Sequence, residues 1–408
     1  MHILLAASAD SQWTKKYIEN VLLPEGHKVT VLSTQNSKFT KFYHENDIQV
    51  HTISLNTTKK LSHVLPLNSK KNIRCTYDTV KRLFPNWLKK FVHGMLCQKA
   101  VARSAKHIPT YDALHIHYVT TGLENLYAPL LEGFRGKVVL TYWGSDLLRN
   151  TTQVCNEGLL KKASAIVFVT EGLKEYFHSI YGSKYDAKTH VIDFGVSVYD
   201  VLDSIAQNEH EENRQLFSIP KTKISIMVGY NASPGQQHLE IINALDKLPE
   251  ITKSNIHVLL QYSYNYTQDE SYYKQISQRL KALSFSWSII DEYLNDEDTA
   301  KLRDSVDIFI HAQITDALSA SMLEYLYAGT IVLNASWLKY YELETRGIQY
   351  LQFDSFEQLS SIVEGLISNQ NFDKRNIKVN RTTLRALNSW TAVKAKWLNL
   401  YTEQRKDS

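Results

Sequence analysis

Cysteine is scarce in this chain, glycine and proline are sparse, and no apolar run is long enough to cross a bilayer. Only Cys75, Cys97 and Cys155 occur among 408 residues. They are odd in number and share no metal-ligand spacing, so neither structural disulfides nor a zinc site is expected, and a reduced cytoplasmic setting is. The amino-terminal HILLAASA is apolar but short and lacks a basic leader, which argues against a signal peptide. No stretch approaches the ~20 apolar residues of a membrane span. The glycine-rich fingerprint of dinucleotide enzymes is missing too: Ala6-Ala7-Ser8-Ala9-Asp10 stands where it would follow the first strand. That counts against a nicotinamide-dependent dehydrogenase. Internal repeats, low-complexity segments and recognised nucleic-acid modules are also lacking.

What the chain has in excess is local positive charge. Between Asn56 and His107 stand twelve Lys and Arg against the single acid Asp78, a local balance of +11 within a chain of net charge +4. The rest of the chain is therefore acidic, at −7. Charge of this density speaks to an anionic partner rather than to the fold. Its tract NWLKKFVHGMLCQKAVARSAKH mixes Trp87, Phe91 and Leu96 with Lys89, Lys90, Lys99 and Arg103. An amphipathic basic helix of this kind suits an anionic membrane surface, although a solvated face on an ordinary packed helix has the same pattern.

The length suits two domains, each with its own core. Strand, helix and strand alternate from the start: Ile3–Leu5, an apolar stripe at Trp13, Tyr17, Val21 and Leu22, the turn Pro24-Glu25-Gly26-His27, then KVTVLST. This reads as a right-handed parallel βαβ unit. ALHIH places His115 and His117 on one strand face, as core, rim or functional histidines. VVLTYWGSD delivers Trp143, Gly144, Ser145 and Asp146 at the carboxyl end of another strand, where open parallel sheets bind ligands. Asp146 precedes LLRN and is expected to serve both as a helix N-cap and as a carboxylate facing a ligand at the sheet edge. The polar stretch from Asp203 to Pro220 reads as a linker or an exposed helix, which puts the domain boundary at about 197–220.

In the second half, KISIMVG runs into YNASPGQQHLEIINAL, with a helix expected near His238. Gly229, Asn231, Ser233 and His238 thereby frame a small polar loop whose amides suit an anion. DIFIHA and TIVLNA are two buried strands around the loop QITDALSAS and a helix ended by Gly329. Ser321 and Glu324 stand at capping-box spacing, with the helix starting near Ser319–Ser321. Asp316 and Glu324, with seven residues between them, flank that helix start. Read locally, Glu324 is a capping residue and Asp316 a turn former.

The same acid–seven–acid spacing, followed by Tyr325-Leu326-Tyr327-Ala328-Gly329, resembles the signature of nucleotide-sugar glycosyltransferases of the GT-B fold. VIDFGVS at Val191–Ser197 is similar to the end of that family's first domain. The Gly229 and Trp143 loops resemble, more narrowly, bacterial transferases that move acetamido-fucose onto lipid-linked antigen intermediates. The resemblance implies an α/β chain of two Rossmann-like domains facing a central cleft. Residues 1–200 would form the acceptor domain, 220–385 the nucleotide-sugar domain, and 386–408 a helix packing back on the first. It implies transfer of a sugar from a nucleotide-diphosphate donor to a glycan or lipid-linked acceptor in bacterial polysaccharide or glycoconjugate assembly, at the cytoplasmic face of the membrane. Glu324 would hold the ribose, Asp316 would lie near the sugar, and Gly229, Asn231, Ser233, His238, Ser319 and Ser321 would serve the donor. Asp146 and His117 would stand nearest the reacting hydroxyl. No cofactor and no metal-binding Asp-x-Asp is expected, and family members with this spacing mostly retain configuration.

Two departures stand out. The first acid is Asp316 where the family has Glu, and the Gly229 loop lacks the family's Arg and Lys for the pyrophosphate. The second departure keeps open a catalytically degenerate partner of an active subunit. A nucleotide-sugar epimerase on the same fold is the other alternative.

Overall fold

The computed structural model describes residues 1–33, 36–52, 111–119, 131, 134–149, 157–206, 209–263, 270–368 and 375–402, with backbone alone at 375–378. The basic segment Asn56–His107 lies outside the described residues. The chain divides into two compact units. One comprises 1–169, 173–192 and 394–408, the other 170–172 and 193–393.

The first unit is built on seven parallel strands: β1 (His2–Ala6), β2 (Lys28–Ser33), β3 (Gln49–Thr52), β4 (Ala113–His117), β5 (Lys137–Tyr142), β6 (Ala165–Phe168) and β7 (Thr189–Val191). They pair in the order β3-β2-β1-β4-β5-β6-β7. Ile3, Leu5, Val31, Leu114, Ile116, Val139, Leu140 and Val167 are fully enclosed, as near-continuous apolar strands of a sheet covered on both faces must be. Helix α1 (Gln12–Tyr17) runs on through a π-turn and a 3-10 turn to Gly26, whose φ of 68° ends it in the left-handed region. Its inward residues Tyr17, Ile18, Val21 and Leu22 are buried. A short helix α2 (Ser145–Leu148) follows β5.

The second unit holds six parallel strands, β8 (Ile224–Val228), β9 (Ile256–Gln261), β10 (Ser286–Ile290), β11 (Ile308–His311), β12 (Ile331–Ala335) and β13 (Leu351–Phe353). Their order is β10-β9-β8-β11-β12-β13. Helices α3 (Val198–Ser204), α4 (His238–Asp246), α5 (Asp296–Asp304), α6 (Ala320–Ala328) and α7 (Arg375–Asn388) belong to this unit. Ile226, Val228, Ile241, Leu245, Val258, Leu260, Ile308, Ile310 and Leu333 form its core. Both units are thus Rossmann-like, as the alternation of strand and helix predicts.

Within Asp203–Pro220 the described residues hold a short helix, His210–Leu216, with Glu211, Glu212, Gln215 and Leu216 exposed as the polar sequence suggests and Asn213 and Arg214 buried. Arg214 is buried there, and its Nη1 reaches Asp307 Oδ2 at 3.0 Å while Nη2 donates to the Lys223 carbonyl. One charge of this stretch is thus turned inward, to an ion pair with the part-buried Asp307 inside the second unit. The acidic triplet Asp296-Glu297-Asp298 forms the first turn of α5, with Asn295 Oδ1 accepting from the Asp298 amide at 2.9 Å. Acids at a helix amino terminus face the positive end of its dipole.

Candidate functional site

In each sheet the strand order reverses at one place, and ligands of open parallel sheets bind outside the carboxyl ends of the strands there. In the second unit that place lies between β8 and β11, which pair directly. The loop after β8 and the loop after β11 are laced together. Gly235 accepts from the Ile314 amide at 2.9 Å. Gln236 Nε2 donates to Gln313 Oε1 at 2.7 Å, Gln237 Nε2 donates to the Ala312 carbonyl at 2.6 Å, and the Tyr230 hydroxyl donates to Gln313 Oε1. Trp337 Nε1 fixes the Gln313 carbonyl at 2.9 Å. Uncharged amides therefore occupy the place where the sequence lacks Arg and Lys.

The residues expected in that loop fall into two groups. Asn231 Oδ1 accepts from the Ser233 amide at 2.8 Å, and Ser233 Oγ caps the turn Pro234–Gln236 from the Gly235 amide at 3.3 Å. These two, both half-buried, shape the loop. Gly229 has φ of +64°, and a Cβ there would lie 2.9 Å from His238 Nε2. That approach is what the glycine permits. His238 begins α4 as the sequence suggests, but it is fully buried beneath Gly229, with Nδ1 3.3 Å from the Tyr272 hydroxyl. Burial pushes its pKa down to about 4, so it is neutral. Its ring packs the loop from below.

Beyond β11, Asp316 Oδ2 accepts from the Tyr340 hydroxyl at 2.9 Å, and Tyr340 is itself enclosed. Helix α6 begins at Ala320, and its N-cap is Ser319, whose Oγ accepts from the Met322 amide at 3.2 Å. The capping box expected at Ser321 and Glu324 is not formed. Two serines compete at this helix start, and the one at 319 has the extended backbone of a cap (φ −79°, ψ 120°). Ser321 Oγ instead lies 3.4 Å from Arg303 Nη2. Glu324, a full turn inside the helix, turns to Arg303: Nε meets Oε2 at 3.0 Å, with side-chain exposures of 3% and 12%. Burial raises the Glu324 pKa against the pull of the guanidinium. A buried ion pair, rather than a cap, is the local role of this acid.

In the first unit the reversal lies between β1 and β4. His115 and His117 both point into the core. His115 contacts the Tyr401 hydroxyl through Nδ1 and Thr141 Oγ1 through Nε2, at 2.5 and 2.7 Å. His117 lies among Tyr17, His115 and Trp143, with ring centroids 5.0, 4.2 and 5.5 Å away, and its Nε2 has no hydrogen-bond partner. Burial pushes its pKa down to about 3, so the ring is neutral. Asp146 is not a helix cap either. Gly144, with φ of 128°, holds the N-cap position. The Asp146 carboxylate, 2% exposed, accepts from the amides of Gly144 at 2.7 Å, Trp143 at 3.0 Å and Val119 at 3.1 Å. It ties the loops after β4 and β5 to each other.

Arg303, Gln313 and Tyr340 are the partners of Glu324, Gln236 and Asp316 at the candidate site, and the sequence alone does not mark them. Each reaches its partner across at least 21 positions or through a strand edge, and none belongs to a local pattern.

The two sheets, their strand orders and their loop edges define the class: a two-domain α/β chain with the GT-B fold. No family model matches it, and no curated protein matches its sequence. Among solved structures it is similar to a glycosyltransferase from Rickettsia africae, at 18% identity over 100% of this chain and 99% of that one, with a TM-score of 0.72. HepE of Anabaena, solved with UDP and glucose, is 14% identical over 98% and 99% of the two chains, with a TM-score of 0.72. Sucrose-phosphate synthase from Thermosynechococcus elongatus is 12% identical over 98% of each, with a TM-score of 0.70. At these identities the likeness establishes the fold.

Proposed function

We propose that this chain is a glycosyltransferase that moves a sugar from a nucleotide-diphosphate donor to a glycan or lipid-linked acceptor. The observation that carries the reading is the pair Asp316 and Glu324 at the β11 edge, each held by a buried partner, Tyr340 and Arg303. Glu324 Oε1 accepts no hydrogen bond among the described residues, and a ribose hydroxyl would donate to it. Asp316 would stand beside the transferred sugar. The diphosphate would meet the loop amides after β8 and the first turn of α6, whose dipoles favour the developing charge. Its departure breaks the anomeric carbon–oxygen bond, and the acceptor hydroxyl oxygen forms the new bond to that carbon while its proton passes to the departing diphosphate oxygen. The fold and the acid–seven–acid spacing favour a metal-independent transfer that retains configuration. On the acceptor side, the geometry supports Asp146 as the residue that builds the Trp143 loop and His117 as a neutral ring beside it.

UDP is the first nucleotide to test, because HepE was solved with UDP and with UDP-glucose. Melting temperature should rise with one of UDP, GDP or TDP, and the matching sugar should be consumed only when acceptor is supplied. Conversion of donor without acceptor would indicate an epimerase. The uncharged lacing of Gln313 favours a second reading, a degenerate partner subunit, and that reading predicts no response to any nucleotide.

No described helix is long and apolar enough to cross a membrane. A lipid-linked acceptor would then be met at the membrane surface, and the +11 balance of Asn56–His107 supports docking there. Each Lys or Arg near an anionic surface contributes about 1 kcal/mol. The chain should sediment with anionic vesicles at low salt and be released as salt rises. Replacing Lys89, Lys90, Lys99 and Arg103 with Gln should weaken vesicle binding and leave nucleotide affinity unchanged. Sedimentation unaffected by the four substitutions would remove this segment from docking.

A further inference from the structure

A carboxylate inside a packed helix turns readily to a ligand only if something keeps it ionised and aimed. Arg303 is built to do both. Its Nη1 donates to the Tyr325 hydroxyl at 2.8 Å and to Gln261 Oε1 at 3.1 Å, and Nη2 lies 3.4 Å from Ser321 Oγ. The guanidinium carbon sits 4.3 Å from the Tyr325 ring centroid, and that ring stacks on Phe309 of β11 at 4.3 Å. Nη1 spends both of its protons on Tyr325 and Gln261 and Nη2 lies toward Ser321, so Glu324 is met by Nε, at 3.0 Å to Oε2. A two-pronged guanidinium–carboxylate pair would occupy both oxygens. This one-pronged pair occupies one and leaves Oε1 to a ligand.

We infer that Arg303 is the positioning residue of the donor site, holding Glu324 ionised and turned so that Oε1 takes the ribose hydroxyls. This rests on the proposed function. The groups around Glu324 are few. Arg303 and Asp296 face it from α5, Tyr199 from α3 and Tyr325 from its own helix. Arg381 and Arg385 of α7 engage Asp203 and Tyr327 instead. Arg303 is thus the one cation paired with Glu324 among the described residues. Without it, burial and Asp296 both push the acid toward its neutral form, which donates where the ribose also donates.

The test is UDP affinity by calorimetry from pH 5.5 to 8.5 for the full chain, Arg303→Met, Arg303→Lys and the double variant Arg303→Met with Glu324→Gln, each checked by melting temperature. If GDP or TDP is the nucleotide bound, it replaces UDP. The wild type should bind with little pH dependence. Arg303→Met should bind at least tenfold more weakly at pH 6 and recover part of that loss as pH rises and Glu324 ionises. Arg303→Lys should fall between, and the double variant should stay weak at every pH. Should Arg303→Met not fold, the lysine variant and the uncharged double variant carry the same comparison, because a neutral pair leaves no unpaired buried charge. Variants within twofold of wild type at every pH, or a loss equal at every pH, would overturn the positioning role alone. A wild type that binds none of UDP, GDP and TDP would overturn the nucleotide reading and this role with it.

Discussion

Glu324→Gln is expected to weaken nucleotide binding by about 10- to 100-fold, the loss of one charge-assisted hydrogen bond worth roughly 1.5–3 kcal/mol. The substitution keeps the side-chain shape within α6, so the helix persists. It also leaves Arg303 facing a neutral group while Tyr325 and Gln261 still accept from it. Melting temperature should therefore fall modestly while affinity collapses. An acid that merely stabilised the helix start would show the opposite pattern, and Ser319 already fills that position. UDP binding within twofold of wild type would remove Glu324 from the donor site.

The second large effect is on the first unit. Asp146→Ala should lower its unfolding free energy by about 3–9 kcal/mol. Three backbone amides, of Val119, Trp143 and Gly144, lose their acceptor, at roughly 1–3 kcal/mol for each buried group left unpaired. Turnover should drop with it as the Trp143 loop loses its shape. Nucleotide affinity should hold, because the donor elements belong to the other unit. Asp146 also gives the unit a pH signature. Burial pushes its pKa up to about 6, against the backbone amides that pull it down. A raised acid favours the folded state when protonated, so its contribution is fully present below about pH 4 and is lost as pH rises through 6. Asp146→Asn should remove that slope from the stability profile measured by urea unfolding. A wild-type midpoint for Asp146→Ala would mean the amides find water. Lost UDP affinity would place this acid on the donor.

Much of the fold is legible in the sequence because its strands are short apolar runs separated by helix-period stripes. Both βαβ edges could be placed that way, and the spacing of Asp316 and Glu324 marked the second. The partners could not be read. Ser319 and Ser321 satisfy the same local capping rule, and the backbone at Ser319 takes the cap while Ser321 lies against Arg303 from a different helix. Alternation put His115 and His117 on one face of β4. What covers that face is Tyr17 and Tyr401, the latter 286 positions from His115. Nor does local pattern reveal that polar residues such as Arg214 and Gln236 are buried. Each became interior by finding a partner across the sheet, which composition cannot record.

The measurement that bears most directly on the central claim is a two-by-two titration. Wild type and Glu324→Gln would each be titrated with UDP and with its 2′,3′-dideoxy analogue, or with whichever nucleoside diphosphate raises the melting temperature. If Glu324 holds the ribose, wild type should lose at least tenfold in affinity for the dideoxy analogue, whereas Glu324→Gln should bind both forms about equally weakly. Equal loss in the two proteins would mean that the hydroxyls are recognised elsewhere, and no binding of any nucleotide by wild type would contradict the transferase reading itself.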